Sequence, residues 1–255
     1  MIKGIIPLFI GILFSKVAFT QSKLNAQIDQ VHKGFASFNI GIGAPIGNFA
    51  SNSFNNYSAG YAKTGAMIDL TFGYKILPNL GITAMVRNQT NDIDIDEYAE
   101  DWEDFYESGS SGGDASVFVE AQPYRLNSFM IGIYGTFKIT NKLSFEPRIL
   151  SGYAIAVLPY MTEDIYNSGT HLITYYRESA NSWTISSIIG VGVNYQLAEE
   201  VNLMFNVDYH AAVAEWKDVK TSYYGHITGT YENRYYDYAR IFSIINTNIG
   251  LGYRF

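Results

Sequence analysis

The sequence predicts an all-β protein: an eight-stranded antiparallel up-and-down β-barrel that crosses a membrane, with ten strands as the alternative count. Three observations carry this. Segment after segment alternates large apolar residues with a Gly, Asn and charged set at a period of two, the pattern of strands whose two faces meet different surroundings. A heptapeptide (aromatic, polar, aliphatic, three turn residues, aliphatic) recurs at residues 74–80, 137–143 and 195–201, with spacings of 63 and 58. A further step of 58 reaches Tyr253-Arg254-Phe255. Three short turns and a last strand ending on the same rim imply eight strands.

Composition agrees. Charged residues are 16% of the 255, against about 25% in an ordinary soluble domain. Aromatics are also 16%, and that apolar load excludes disorder. A net charge of −7 excludes nucleic acid as a partner, because phosphate binding needs a basic face. The absence of cysteine excludes disulfides, thiolate metal sites, a cysteine nucleophile and an acylated lipoprotein anchor.

In chain order, residues 1–22 read as a secretory signal peptide. Lys3 opens it, an apolar run of 11 residues follows, and Lys16 closes the run. Such a run is too short for a membrane-spanning helix. Loss of both lysines leaves the exported chain at −9. Residues 23–33 form a short periplasmic segment, and residues 34–255 the barrel domain. The first strand sets Phe38, Ile40 and Ile42 against Asn39, Gly41 and Gly43. The second sets Ile68, Leu70, Phe72 and Tyr74 against Asp69, Thr71, Gly73 and Lys75. The third sets Ile82, Ala84 and Val86 against Thr83, Met85 and Arg87. The fourth sets Phe129, Ile131, Ile133 and Phe137 against Met130, Gly132, Tyr134 and Lys138. The fifth sets Phe145, Pro147 and Ile149 against Glu146 and Arg148. The sixth sets Ile189, Val191 and Val193 against Gly190, Gly192 and Asn194. The seventh sets Phe205, Val207 and Tyr209 against Asn206, Asp208 and His210. The eighth sets Ile249, Leu251, Tyr253 and Phe255 against Asn248, Gly250, Gly252 and Arg254.

The apolar face belongs outside. The other face is small and polar, as a crowded lumen requires, and the apolar face ends in Tyr74, Phe137, Tyr195 and Tyr253 at the short-turn rim. A bilayer interface selects such an aromatic girdle. An open sheet edge in lipid would leave backbone groups unpaired, so the sheet must close.

With its Gly-Ile-Gly first strand, Tyr-rich long loops and terminal Leu251-Gly252-Tyr253-Arg254-Phe255, residues 34–255 resemble the small outer-membrane β-barrel proteins of Gram-negative bacteria. In style they are similar to the porin-like barrels of the Bacteroidetes. The resemblance implies residence in the cell outer membrane, periplasmic N- and C-termini, and outer-membrane lipid and lipopolysaccharide as surroundings. It also implies that Tyr253 and Phe255 form the signal read by the barrel-assembly machinery. The class holds anchors, small-molecule channels, adhesins and lipid enzymes. Its lipid A deacylases carry closely spaced His and Ser on one strand, and none of His32, His171, His210 and His226 has that neighbour.

Eight strands leave a lumen little wider than its side chains. The lumen-facing ionisable set is Asp69, Lys75, Arg87, Lys138, Glu146, Arg148, Asp208, His210 and Arg254. Both signs are present, which suits a paired polar plug; the alternative is a narrow gated pore lined by the same groups. Asp208 and His210 share a face as neighbours two apart, and no nucleophile accompanies them. No catalytic residue, cofactor or metal centre is therefore expected. The loop at residues 88–124 carries 11 carboxylates. Asp92, Asp94, Asp96 and Glu103 follow an EF-hand-like spacing, although Glu97 occupies the position that wants Gly and no flanking helices are expected. Diffuse divalent-cation binding and a merely solvated acidic loop are the other readings. The loops at 158–181 and 215–239 are Tyr-rich, as recognition surfaces are and as strands extended beyond the bilayer also are. The function expected is a surface-exposed structural or interaction protein with a plugged polar lumen; the alternative is a porin-like passage for a small solute.

Overall fold

The computed structural model describes residues 33–54, 56, 58–109 and 114–255; the expected signal peptide lies outside these. In chain order the elements are β1 (Gly34–Pro45), a 3-10 turn (Gly47–Phe49), β2 (Gly65–Leu77), β3 (Leu80–Asn91), α1 (Ile95–Gly109), β4 (Ala115–Ala121), β5 (Tyr124–Gly135), β6 (Phe137–Lys138), β7 (Leu143–Leu158), β8 (Met161–Asn167), β9 (Thr170–Arg177), β10 (Ala180–Gln196), β11 (Val201–Gly225) and β12 (Thr230–Arg254).

Eight of these strands pair antiparallel into a closed ring, β1-β2-β3-β5-β7-β10-β11-β12 and back to β1. Gly34 and Phe255 complete the seam with reciprocal backbone hydrogen bonds of 2.8 and 2.9 Å. The ring count is eight. The alternative count of ten is not met: Ala115–Ala121 forms a strand, β4, but it pairs with β8 outside the ring.

Alternation along each ring strand places Phe38, Ile40, Leu70, Phe72, Ile82, Ile131, Ile149, Ile189, Phe205, Ile249 and Leu251 on the outer surface, exposed. A belt of bare Ile, Leu and Phe on a closed ring is stable only against lipid, where burial is worth about 25 cal/mol per Å². Tyr74, Tyr195, Tyr253 and Phe255 are exposed at the rim of short turns, as an interfacial girdle is.

Inside, a charged group and apolar clusters share the lumen, with more apolar filling than a plugged polar lumen implies. The short-turn half carries Asp69, Arg87, Arg148, Asp208 and Asn206, all buried. Beside it Met85, Met130, Leu150 and Ile188 form a small buried apolar cluster. At the opposite mouth the filling is apolar: Phe49, Tyr124, Leu126, Ala156, Trp216, Phe242 and Ile244 belong to one buried cluster. Phe49 comes from the first long loop and packs at 4.8 Å from Phe242 and 5.3 Å from Tyr124, centroid to centroid. Arg240 donates to the carbonyls of Ser58 and Ala59 and ties the loop down. That loop is a stopper.

Large lumen side chains face glycines across the strand boundary. Phe35 pairs with Gly73, Tyr134 with Gly81, Asn39 with Gly250, and Asp208 with Gly190. A Cβ on Gly190 would lie 2.0 Å from Asp208 Oδ1. Gly190 also pairs with Arg148 on its other side, so the missing side chain opens the path by which Arg148 reaches Asp208. Gly190→Val is expected to overpack this layer and cost about 1–3 kcal/mol. A urea titration of the refolded protein in lipid should show the lowered midpoint, and an unchanged midpoint would mean the lumen is not tightly filled.

Candidate functional site: the blocked lumen and the outer annex

The central lumen group is a four-residue ionic cluster. Arg87 on β3 places Nη2 2.9 Å from Asp69 Oδ2 on neighbouring β2 and 2.7 Å from Asp208 Oδ2 on β11. In the ring order β3 and β11 lie diametrically opposite. Arg148 binds the same Asp208 with Nε at 2.9 Å and Nη2 at 2.8 Å. Asn39 donates to Asp69 at 2.6 Å and Thr71 does so at 3.1 Å. Two guanidiniums meet two carboxylates, so the charges balance where an unpaired one would cost several kcal/mol.

Other expected lumen residues sit elsewhere. Glu146 accepts from Thr136 at 3.3 Å. Arg254 meets Asn202 at 3.0 Å with the amide oxygen turned toward it. Glu146, Arg254, Lys75 and Lys138 line a vestibule of about 270 Å³ at the short-turn rim, together with Phe35 and Tyr134. His210 is fully buried, and its Nε2 lies 2.6 Å from Ser186 Oγ. That pair joins β10 to β11 and has no signature within either strand. Asp208 is committed to the arginines, and His210 Nδ1 has no hydrogen-bond partner, so nothing orients the imidazole as a triad would require.

Beyond the ring, β11 and β12 stay paired as far as Gly225 and Thr230, past a bulge between Trp216 and Val219. There β9, β8 and β4 add on in turn to β11. The Tyr-rich segments are therefore strands, and they build an outer annex of sheet.

The acidic segment is not a loop. Residues 95–109 form α1, with Tyr98, Ala99, Trp102 and Tyr106 packed toward the buried cluster. Asp96 and Glu97 occupy its first turn, where the helix dipole favours negative charge. The EF-hand-like set is not drawn together. Asp94 pairs with Lys63 at 3.1 Å, which holds the ammonium above its ordinary pKa. Glu103 accepts from the Val117 backbone at 2.8 Å. Asp92 and Asp96 are exposed. Carboxylates outside the set fasten the helix as well: Tyr61 donates to Asp101 at 2.5 Å and Tyr98 to Glu163 at 2.9 Å. The exposed remainder, including Glu100, Asp104 and Glu107, makes an acidic outer face.

The annex also brings together two histidines from the Tyr-rich segments. His171 on β9 and His226 after β11 stack with centroids 3.5 Å apart. A groove of about 480 Å³ is lined by Tyr175, Tyr223, Ile227 and Arg234 among others. Arg234 lies 5.1 Å over the Tyr223 ring.

A closed eight-stranded ring, an outward apolar belt and an aromatic rim define an integral outer-membrane β-barrel of the small class. Its setting is outer-membrane lipid and lipopolysaccharide, with both ends of the ring on the periplasmic side. No protein-family model matches the chain, and no curated protein matches it. Solved structures similar to it include the outer membrane protein OprG of Pseudomonas aeruginosa, at 14% identity over 88% of this chain and 96% of that one, with a TM-score of 0.44. Ail, the attachment invasion locus protein of Yersinia pestis, is 13% identical over 88% and 99%, with a TM-score of 0.37. The outer membrane protease OmpT of Escherichia coli is 16% identical over 76% of this chain, with a TM-score of 0.43, and the match spans 65% of its length.

Glu163 gives the annex a pH signature. Burial pushes its carboxyl above the ordinary value, against the opposing Tyr98 hydrogen bond and Arg177 charge. Between the ordinary and the raised value the folded annex binds a proton that the unfolded chain releases, so stability falls as pH rises through that window. Acidification toward the ordinary carboxylate value should raise the urea midpoint of annex unfolding. Glu163→Gln, which keeps an acceptor for Tyr98, should remove that slope. An identical slope in the variant would assign it to other groups.

Proposed function

We propose that this protein is a surface-exposed structural and interaction protein of the outer membrane. The barrel anchors it, the lumen is sealed, and the annex with helix α1 meets partners outside the cell. The observation that carries this reading is the pairing of a blocked lumen with an elaborated outer surface. The Arg87–Asp208 bridge and the Phe49 stopper lie in series along the lumen, while Tyr176, Tyr224, Tyr231, Tyr235 and Tyr236 stand exposed on the annex. Tyrosine offers rigid contact area with a polar tip, which suits recognition of glycans or proteins.

On this reading residues 1–22 direct export and are removed, residues 23–33 stay in the periplasm, and residues 34–255 form the barrel. Tyr253 and Phe255 sit at the periplasmic rim, exposed, where the barrel-assembly machinery would read them. Divalent cations would gather at the acidic outer face of α1 beside lipopolysaccharide phosphates. Catalysis is no part of the proposal: His210 and Ser186 are both fully buried, so no substrate reaches the nucleophile–base pair they resemble.

Planar bilayers separate this from passage of a small solute. The protein should insert without producing discrete conductance steps. Steady single-channel steps from the wild-type protein would contradict the sealed lumen and favour transport.

A further inference from the structure

We propose that Asp164, His171 and His226 form a binding site on the outer annex for a divalent late transition metal ion, zinc being the first candidate. Asp164 Oδ1 and one ring nitrogen from each histidine lie within 4.8 Å of one another. Asp164 Oδ1 is 3.1 Å from His171 Nε2. Donors around a tetrahedral zinc stand roughly 3.4 Å apart, at about 2.0–2.2 Å from the ion. The two imidazoles are stacked with 23° between their planes, so binding turns the rings apart until both nitrogens face the ion.

The backbone brings this set together by an irregular route. Ser168 and Gly169, both with positive φ (48° and 79°), make the two-residue turn between β8 and β9, as a type I′ hairpin requires. Just beyond it the register slips: Ile165 pairs with Ile173, but Tyr166 pairs with His171. Leu172 is the extra residue. Strict alternation would put His171 and Thr174 on opposite faces of β9. The bulge puts them on one face, beside Asp164, which pairs with Thr174. Bulges commonly re-aim side chains next to functional sites. The carbonyl of the bulged Leu172 accepts the His226 backbone N–H at 2.9 Å, so the same irregularity docks the β11–β12 turn and its imidazole.

The surroundings hold the donors in position. Tyr166 stacks on His171 at 4.3 Å, and Tyr224 meets His226 edge-on at 4.7 Å. The buried hydroxyl of Thr174 lies 2.5 Å from Asp164 Oδ1, 3.1 Å from His171 Nε2 and 2.9 Å from His226 Nε2. A bound ion takes the two ring nitrogens from this hydroxyl, which keeps its bond to Asp164 and is then the kind of outer partner that orients a ligating carboxylate. Two imidazoles and one carboxylate select zinc, nickel or copper over calcium and magnesium, which take all-oxygen sites. Asp164 and His171 side chains keep 36% and 26% of their exposure, which leaves the ion reachable from outside. The site draws on three separate stretches of chain and does not depend on the acidic helix or on the interaction reading.

The test is calorimetric titration of the full-length protein, without a histidine tag, in detergent with zinc, nickel, calcium and magnesium chlorides. One zinc per chain is expected, with little response to calcium or magnesium at this site. His171→Ala and His226→Ala should each weaken zinc binding by about 100-fold or more, and Thr174→Val by about 10-fold. Heat-modifiable migration on gels should be the same for every variant. NMR of the wild-type protein supplies a reading independent of folding in the variants: zinc should shift the His171 and His226 imidazole signals and leave His210 unmoved. Failure of the wild type to bind zinc at millimolar concentration would overturn the proposal. So would zinc affinity unchanged in the His171→Ala/His226→Ala double variant, or zinc shifts confined to other residues.

Discussion

Arg87 must find a carboxylate on the far wall of the barrel, and much of the lumen is arranged around that requirement. In an eight-stranded ring the interior is about one side chain wide from each wall. A guanidinium from β3 therefore reaches β11 and binds Asp208 at 2.7 Å while still bonded to Asp69 beside it. Any charge left over would be uncompensated in a buried site. Arg148 and Asp208 complete the balance, and Gly190 is bare because it separates them in register. The same complementarity recurs nearer the periplasm, where Phe35 and Tyr134 lie over Gly73 and Gly81. At these positions an inner-face glycine leaves the room that a large side chain on the neighbouring strand fills.

The division of labour along the barrel axis follows. The polar cluster and the small apolar cluster beside it fill the middle, and Phe49, Trp216 and Phe242 fill the outer mouth. Apolar filling there gives the extended β11–β12 ribbon a base to pack on, since the buried cluster continues through Val117, Val119, Met161 and Ile165 into the annex. A two-stranded ribbon is marginal alone. Packed on this core and widened by β9, β8 and β4, it becomes a platform. Helix α1 then covers the platform with its aromatic face and leaves its carboxylates outside or bonded to Tyr61 and the Val117 backbone, while Asp94 just before it pairs with Lys63.

Much of the ring was legible in the sequence because period two and a repeated short turn are local signals. Outward Ile40, Phe72, Ile131 and Leu251 and inward Asp69, Arg87 and Asp208 stand where alternation puts them. What was not legible depends on other signals. Ile95, Tyr98, Ala99, Trp102 and Tyr106 recur at helical spacing, yet the density of carboxylates masked that period and suggested a loop. Phe242 and Ile244 stand inward on β12 where alternation puts them, but the Phe49 stopper that packs on them comes from the first loop and leaves no mark in the strands. Ser186 and His210 belong to different strands, and Asp164, His171 and His226 converge only through a bulge at Leu172. Sequence alternation cannot announce a bulge, since the extra residue is defined only by its partner strand.

The central claim is that Arg87 and Asp208 hold opposite walls of the barrel together across the lumen. A double-mutant cycle measures this directly, using Arg87→Met, Asp208→Leu and the combined variant in reversible unfolding from lipid. Each single change strands a buried charge and should cost about 3–5 kcal/mol. The double variant should lose less than the sum, because the net charge of the site is balanced again even though Asp69 and Arg148 lose their direct partners. Costs that simply add would contradict the account, since they would mean that the two side chains do not interact across the lumen.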